Sequence, residues 1–185
     1  MIKESMLEAE SRMKGAIHAL EEDLSAIRTG RASPTLVEKL MVEYYGTPTQ
    51  LQQLASIAAP EPQLLTIRPF DPASVAAIEK AIRSSELGLN PASDGKLIRL
   101  AIPPLTEERR TELTKVVHKR LEEAKVAVRN VRRDVQDDLR DFEKEKMISE
   151  DDLYRGREDL EKLTTRVIEQ IDGIGQHKEK EIKEV

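Results

Sequence analysis

Apolar residues recur at Val117, Leu121, Ala124, Val128, Val131, Val135, Leu139 and Phe142, in steps of three and four. That spacing keeps them on one stripe of an α-helix, predicted over Leu105 to Phe142 and ending near Lys146. Thr106 stands at a cap position, and Glu107 and Glu108 fill the first turn, where the helix dipole favours negative charge. A helix of this reach spans about 60 Å at ~1.5 Å per residue. A second stripe, Met6, Ala9, Met13, Ile17, Leu20, Leu24 and Ile27, has the same period and predicts a first helix. It stops at Arg28-Thr-Gly-Arg-Ala-Ser-Pro34, where Gly30 accepts a left-handed backbone and Pro34 disfavours helix at Ser33. A third stripe carries Leu153, Leu160, Leu163, Val167, Ile171 and Ile174. It follows Ser149-Glu-Asp-Asp152, which reads as a capping box. Beyond Gly173 the chain is strongly charged and the last turns are expected to fray.

Between the first and second stripes the helical period vanishes and Pro and Gly become frequent. Leu40 to Tyr45 reads as a strand, with Tyr44 and Tyr45 on opposite faces and at least one of them in the core. A turn is expected at Gly46-Thr-Pro-Thr49, then strands over Leu51 to Ala58 and Leu64 to Arg68. Asp71-Pro72 is a helix start, and Val75, Ile78 and Ile82 give that helix a buried side up to Gly88 as its C-cap. Asn90-Pro91 and Asp94-Gly95 turn the chain into a last strand, Leu97 to Ile102. Three helices with matching seams need one shared core, and the short link at Met147-Ile-Ser149 makes the last two antiparallel neighbours. The predicted fold class is α+β: an elongated antiparallel three-helix bundle over 1–29 and 106–185, with a small β/α/β domain inserted over 30–105. Two linkers, near 29–33 and 102–106, must then lie side by side. They form a joint of Thr29, Gly30 and Arg31 on one strand and Pro103, Pro104 and Leu105 on the other.

Composition narrows the choice of chemistry. Apolar residues are 38% of the chain and charged residues 35%, with two Phe, three Tyr and no Trp, which suits a thin helical core. The formal charge of −5 excludes a general nucleic-acid glue, so any polyanion must be met by a local basic face. The absence of Cys removes thiol and disulfide chemistry. No apolar run approaches a membrane span, and the charged start is no signal region, so a soluble cytoplasmic protein is expected. His18, His118 and His177 are isolated in sequence, with no metal-ligand spacing. Neither a phosphate-binding loop nor a nucleophile elbow is present, and no enzyme, cofactor or metal site is expected.

A local basic face does exist. From Arg109 to Arg133 there are nine Lys/Arg against three Glu, in a chain that is acidic overall. Lys125, Arg129, Arg132 and Arg133 lie beside the apolar stripe, roughly 40° to 140° round the helix from Val128. Nearby acids that could pair with these four at helical spacing are few: Glu122 with Lys125, and Asp137 with Arg133. Arginine binds phosphate bidentately, and scarce aromatics disfavour stacking on single-stranded bases, so backbone contact with structured RNA fits best. Arg28 and Arg31 either stabilise the joint or extend this surface. The competing class is a coiled-coil adaptor that binds partner helices through an exposed apolar stripe and dimerises.

Several segments carry a family resemblance together: Arg28-Thr-Gly-Arg-Ala-Ser-Pro34, Val42-Glu-Tyr-Tyr-Gly-Thr-Pro48, Leu87-Gly-Leu-Asn-Pro91, Pro103 to Arg110 and Ala127-Val-Arg-Asn-Val-Arg-Arg133. In order and spacing, over essentially the whole chain, the sequence resembles ribosome-recycling factors. The resemblance implies an L-shaped molecule similar in outline to transfer RNA. It implies a monomer that binds the post-termination ribosome, mainly through large-subunit rRNA. With elongation factor G, which uses the GTP, it would drive the subunits apart. It assigns the rRNA contact first to Arg129 and Arg132, then to Arg133, Lys125, Arg110, Arg28 and Arg31, and implies that the protein itself hydrolyses nothing.

Overall fold

The computed structural model describes residues 1–184, so Val185, at the end of the predicted bundle, lies outside the described residues. The chain divides into two compact units, one of residues 1–28 with 107–184 and one of residues 29–106.

The first unit is three helices: α1 (Ile2–Ser25), α4 (Glu107–Lys144) and α5 (Glu150–Lys183). Between Val117 and Leu139 every stripe residue of α4 is buried, with Leu113 added at the start; Phe142 is half-buried. Ion pairs Arg12–Asp134 and Asp23–Arg120 place α1 antiparallel to α4, and Lys125–Asp172 with Arg132–Glu161 does the same for α5. Small residues allow the close approach. A Cβ on Gly175 would overlap Leu121 Cδ1, and one on Gly156 would lie 3.2 Å from Leu139 Cδ1. At the α4–α5 link, Lys146 takes a left-handed φ of +59°. Lys146 N–H donates to Glu143 O and Met147 N–H to Phe142 O, the paired bonds of a Schellman cap. Ser149 and Asp152 then form the expected reciprocal capping box.

The predicted fraying of the last turns is corrected: α5 continues to Lys183, and Ile182 has no exposed surface. Ile182 lies eleven residues, three turns, beyond Ile171 on the same stripe, and burying it holds the charged tail helical.

The second unit holds a four-stranded antiparallel sheet in the order β3-β4-β6-β5 and a separate hairpin β1-β2. Its strands are β1 (Met41–Tyr44), β2 (Thr47–Gln50), β3 (Ala55–Glu61), β4 (Leu64–Pro69), β5 (Pro91–Ser93) and β6 (Ile98–Ala101). Leu65, Ile67, Ile98 and Leu100 alternate inward and meet Ile78 and Ile82 of α3 (Val75–Ser84) in one core. Asp71 caps the helical entry by accepting from Ala73 N–H.

Four local expectations change here. The turn is Tyr45-Gly46, both with positive φ, which is the two-residue geometry that matches strand twist; Thr47–Gln50 is therefore strand. Tyr45 sits at that turn and is exposed, so it has no strand face, while Tyr44 is half-buried. Leu51–Leu54 is a single helical turn, α2, placing Leu51 and Leu54 inward before β3 begins. Finally, α3 ends at Ser84 instead of Gly88, because the Ser85 hydroxyl donates to Ile82 O and closes the turn early. The short β5, opened by a proline, pairs with β6 and was absent from the expected elements.

Both linkers are seated on the second unit. Ala32 N–H donates to Pro62 O, and Ile102 N–H donates to Gln63 O, so each strand is tied to the β3–β4 turn. Gly30, at φ +73°, packs against Leu105. Thr29 is buried, and Pro103 and Pro104 are exposed.

Candidate nucleic-acid interface

The seam of α4 is consumed by the bundle, which leaves its flank to decide what the helix can bind. Side chains at about 40° and 60° from Val128 (Arg132 and Lys125) lean toward α5, while those at about 100° and 140° (Arg129 and Arg133) face away from it. The charges follow that division. Lys125 Nζ lies 2.6 Å from Asp172 and 3.7 Å from Glu122, with its side chain 17% exposed. Arg132 Nη1 lies 3.4 Å from Glu161, at 33% exposure. Arg129 is 45% exposed, and its one carboxylate contact among the described residues is with Glu122 at 3.9 Å. Arg133 is exposed and makes no ion pair among the described residues; the expected partner, Asp137, pairs instead with Arg140 at 3.3 Å. The expected Glu122–Lys125 pair is present.

Two of the nine cations in that stretch, Lys125 and Arg132, are thus met by carboxylates of α5. His118–Glu179 at 2.5 Å, Lys125–Asp172 and Arg132–Glu161 form a ladder along the α4–α5 groove, with the α4 members seven residues apart. The Lys125 and Arg132 rungs are the interhelical charge pairing expected beside a coiled-coil seam, and His118 adds a hydrogen bond to Glu179. Exposed pairs of this kind contribute only about 0–1 kcal/mol each. They orient the cations without removing them from use, and the outer row stays open to a phosphate. Lys115, five helical turns before Arg133 and at the same bearing, is also exposed without an ion pair among the described residues. The 18-residue interval to Arg133, five whole turns, is the sequence signal that places it on this row.

The remaining predicted contacts are dispersed. Arg110 is 20% exposed and donates to Lys183 O at 3.0 Å, at the last turn of α5, with Glu107 3.6 Å away. Arg28 ends the first unit's α1 segment and Arg31 belongs to the second unit; both are exposed. His18 and His177 each stand beside one glutamate of their own helix, and among the described residues no group of His, Cys, Asp and Glu is disposed to hold a metal. No helix among them is long and apolar enough to cross a membrane. On the second unit the Tyr44 hydroxyl donates to Asp71 Oδ2 at 3.0 Å; that bond, then burial, holds the phenol above its ordinary pKa. Its ring meets the Tyr45 ring edge-on, with centroids 4.5 Å apart.

Fold and site together define a class: a three-helix bundle with a cationic edge, interrupted by a small α/β unit. Comparison with known proteins gives the particular family. The family model described as ribosome recycling factor matches residues 20–182. The chain is 56% identical to the ribosome-recycling factor of Syntrophomonas wolfei subsp. wolfei and 57% identical to that of Roseiflexus castenholzii, with 100% of each chain covered. A solution structure of a ribosome recycling factor superposes with a TM-score of 0.74 at 45% identity, covering 100% of this chain and 98% of that one. A T. thermophilus ribosome recycling factor, described with E. coli elongation factor G bound to the E. coli post-termination complex, gives 0.64 at 43% identity, with 98% of both chains covered. The chain belongs to the ribosome recycling factor family.

Proposed function

We propose that this chain binds the post-termination ribosome through rRNA and, with elongation factor G and GTP, promotes its separation into subunits. Full-length membership of the family carries the reading, and the solved relative described with elongation factor G on a post-termination complex supports the partner. Within the chain, the open row of Arg129 and Arg133 with the adjacent Arg132 is the surface suited to phosphate. Lys125 and Arg110, each engaged with α5, act first as braces of the helix pair. The protein needs no cofactor of its own and hydrolyses nothing; the partner uses the GTP. It works as a monomer in the cytoplasm. A joint between the two units accompanies this function. Its residues are Thr29, Gly30 and Arg31 on one linker and Pro103, Pro104 and Leu105 on the other, outside the bonds that tie Ala32 to Pro62 and Ile102 to Gln63.

The test is disassembly of post-termination complexes followed by light scattering. Subunit separation should require this protein, elongation factor G and GTP together. Separation by elongation factor G alone at the same rate would contradict the proposal. The adaptor reading predicts dimerisation and no salt-sensitive binding to ribosomes, and it loses its stripe here because the α4 seam is buried inside the bundle.

A further inference from the structure

The rungs of the α4–α5 ladder are not equivalent. Asp172 holds Lys125 at 2.6 Å, and Lys125 is mostly enclosed; Glu161 meets Arg132 only at the edge of hydrogen-bond range, 3.4 Å, and both side chains stay partly in water, at 57% and 33% exposure. Glu161 has no second cation within ion-pair distance among the described residues, and Arg132 has no second carboxylate. A carboxylate on a guanidinium occupies the same donors that a phosphate would take. A phosphate approaching Arg132 must therefore displace Glu161 or share the guanidinium with it. It meets no such competitor at Arg133.

Resting on the rRNA-contact reading above, we propose that Glu161 is an internal competitor for Arg132, a residue of α5 that holds down the affinity of the α4 cationic edge for RNA phosphate. It positions Arg132 along the edge of the groove and is exchanged for phosphate when RNA binds. The ribosome contact is thereby weaker than the bare cations would give, which suits a factor that must leave the subunit it has helped to free.

The experiment measures binding of the full chain to isolated large ribosomal subunits near 0.15 M salt, where charges more than about 8 Å apart are largely screened. Glu161→Gln should bind about threefold tighter, in line with release of one exposed ion pair. The same substitution in an Arg132→Ala background should give no gain, because its target is gone. Glu158→Gln, the same charge change on α5 beside Lys162, should give none either. Glu161→Gln without effect, or with an equal gain in the Arg132→Ala background, would overturn the inference. Loss of binding on replacing Arg129, Arg132 and Arg133 together tests the underlying rRNA contact separately. If that triple variant binds normally, the contact reading fails, whatever Glu161 does. Unchanged helical circular dichroism in each variant shows that the bundle is intact.

Discussion

Gly30→Ala measures how tightly the two linkers are packed together. The native φ is +73°, and a Cβ there would lie 3.0 Å from Leu105 Cγ and 3.3 Å from Leu105 N. A left-handed backbone costs an L-residue about 1–2 kcal/mol. A rotamer change can move the Leu105 side chain but not its backbone nitrogen, so crowding adds about 1 kcal/mol at the low end of overpacking. Stiffening of the unfolded chain by Ala offsets about 0.4–1 kcal/mol of this. The net loss is about 1–2.5 kcal/mol. Gly88→Ala is the internal control: φ is +65°, but no atom lies within 4 Å of its Cβ, so only the backbone cost applies. The assay is urea unfolding read by amide hydrogen exchange in β4 and β6, which reports the second unit without interference from the bundle. Gly30→Ala should be the more destabilised by about 1 kcal/mol, and adding Leu105→Ala should remove part of that difference. Equal losses at Gly30 and Gly88 would refute the packed pairing of the linkers.

Two further predictions concern the bundle. Ile182→Ala should destabilise it by about 2–4 kcal/mol in urea, the cost of truncating a fully buried Ile; a loss below about 0.5 kcal/mol would mean that the end of α5 is not docked. The hydrogen bond from the Ser149 hydroxyl, then that from its backbone N–H, holds the Asp152 carboxyl below its ordinary pKa. A carboxyl lowered in the folded state stabilises fully above its unfolded value and loses that contribution as pH falls through the folded one. Asp152→Asn should therefore be less stable than the parent at pH 6 but match it near pH 2, and a gap that persists in acid would contradict the capping role.

How much of this was legible follows from where each signal resides. The α4 stripe and the Ser149–Asp152 box depend on residues three and four apart, and both are found as read. The Schellman cap at Lys146 uses a left-handed lysine where Gly would have announced it, and Tyr45 does the same in the β1–β2 turn. Pro48 belonged to the turn expected at Gly46-Thr-Pro-Thr49, yet it lies in β2, which among the described residues pairs with β1 alone, and such an edge position tolerates the missing N–H. Ile182 was hidden by its charged neighbours. At the candidate interface the cations of α4 were readable because they lie on one flank of one helix. Their partners Glu161 and Asp172 were not, since they reach that flank only when α5 folds back alongside.

The central claim is that folded rRNA is held by the outer arginines of α4, and the salt dependence of ribosome binding tests it most directly. Each phosphate contact contributes roughly 0.7–0.9 to the slope of log affinity against log salt. Replacing Arg129, Arg132 and Arg133 with Ala should weaken binding and lower that slope by about two to three, with Arg133→Ala alone lowering it by about one. A triple variant that binds with the parent's affinity and slope would contradict the account.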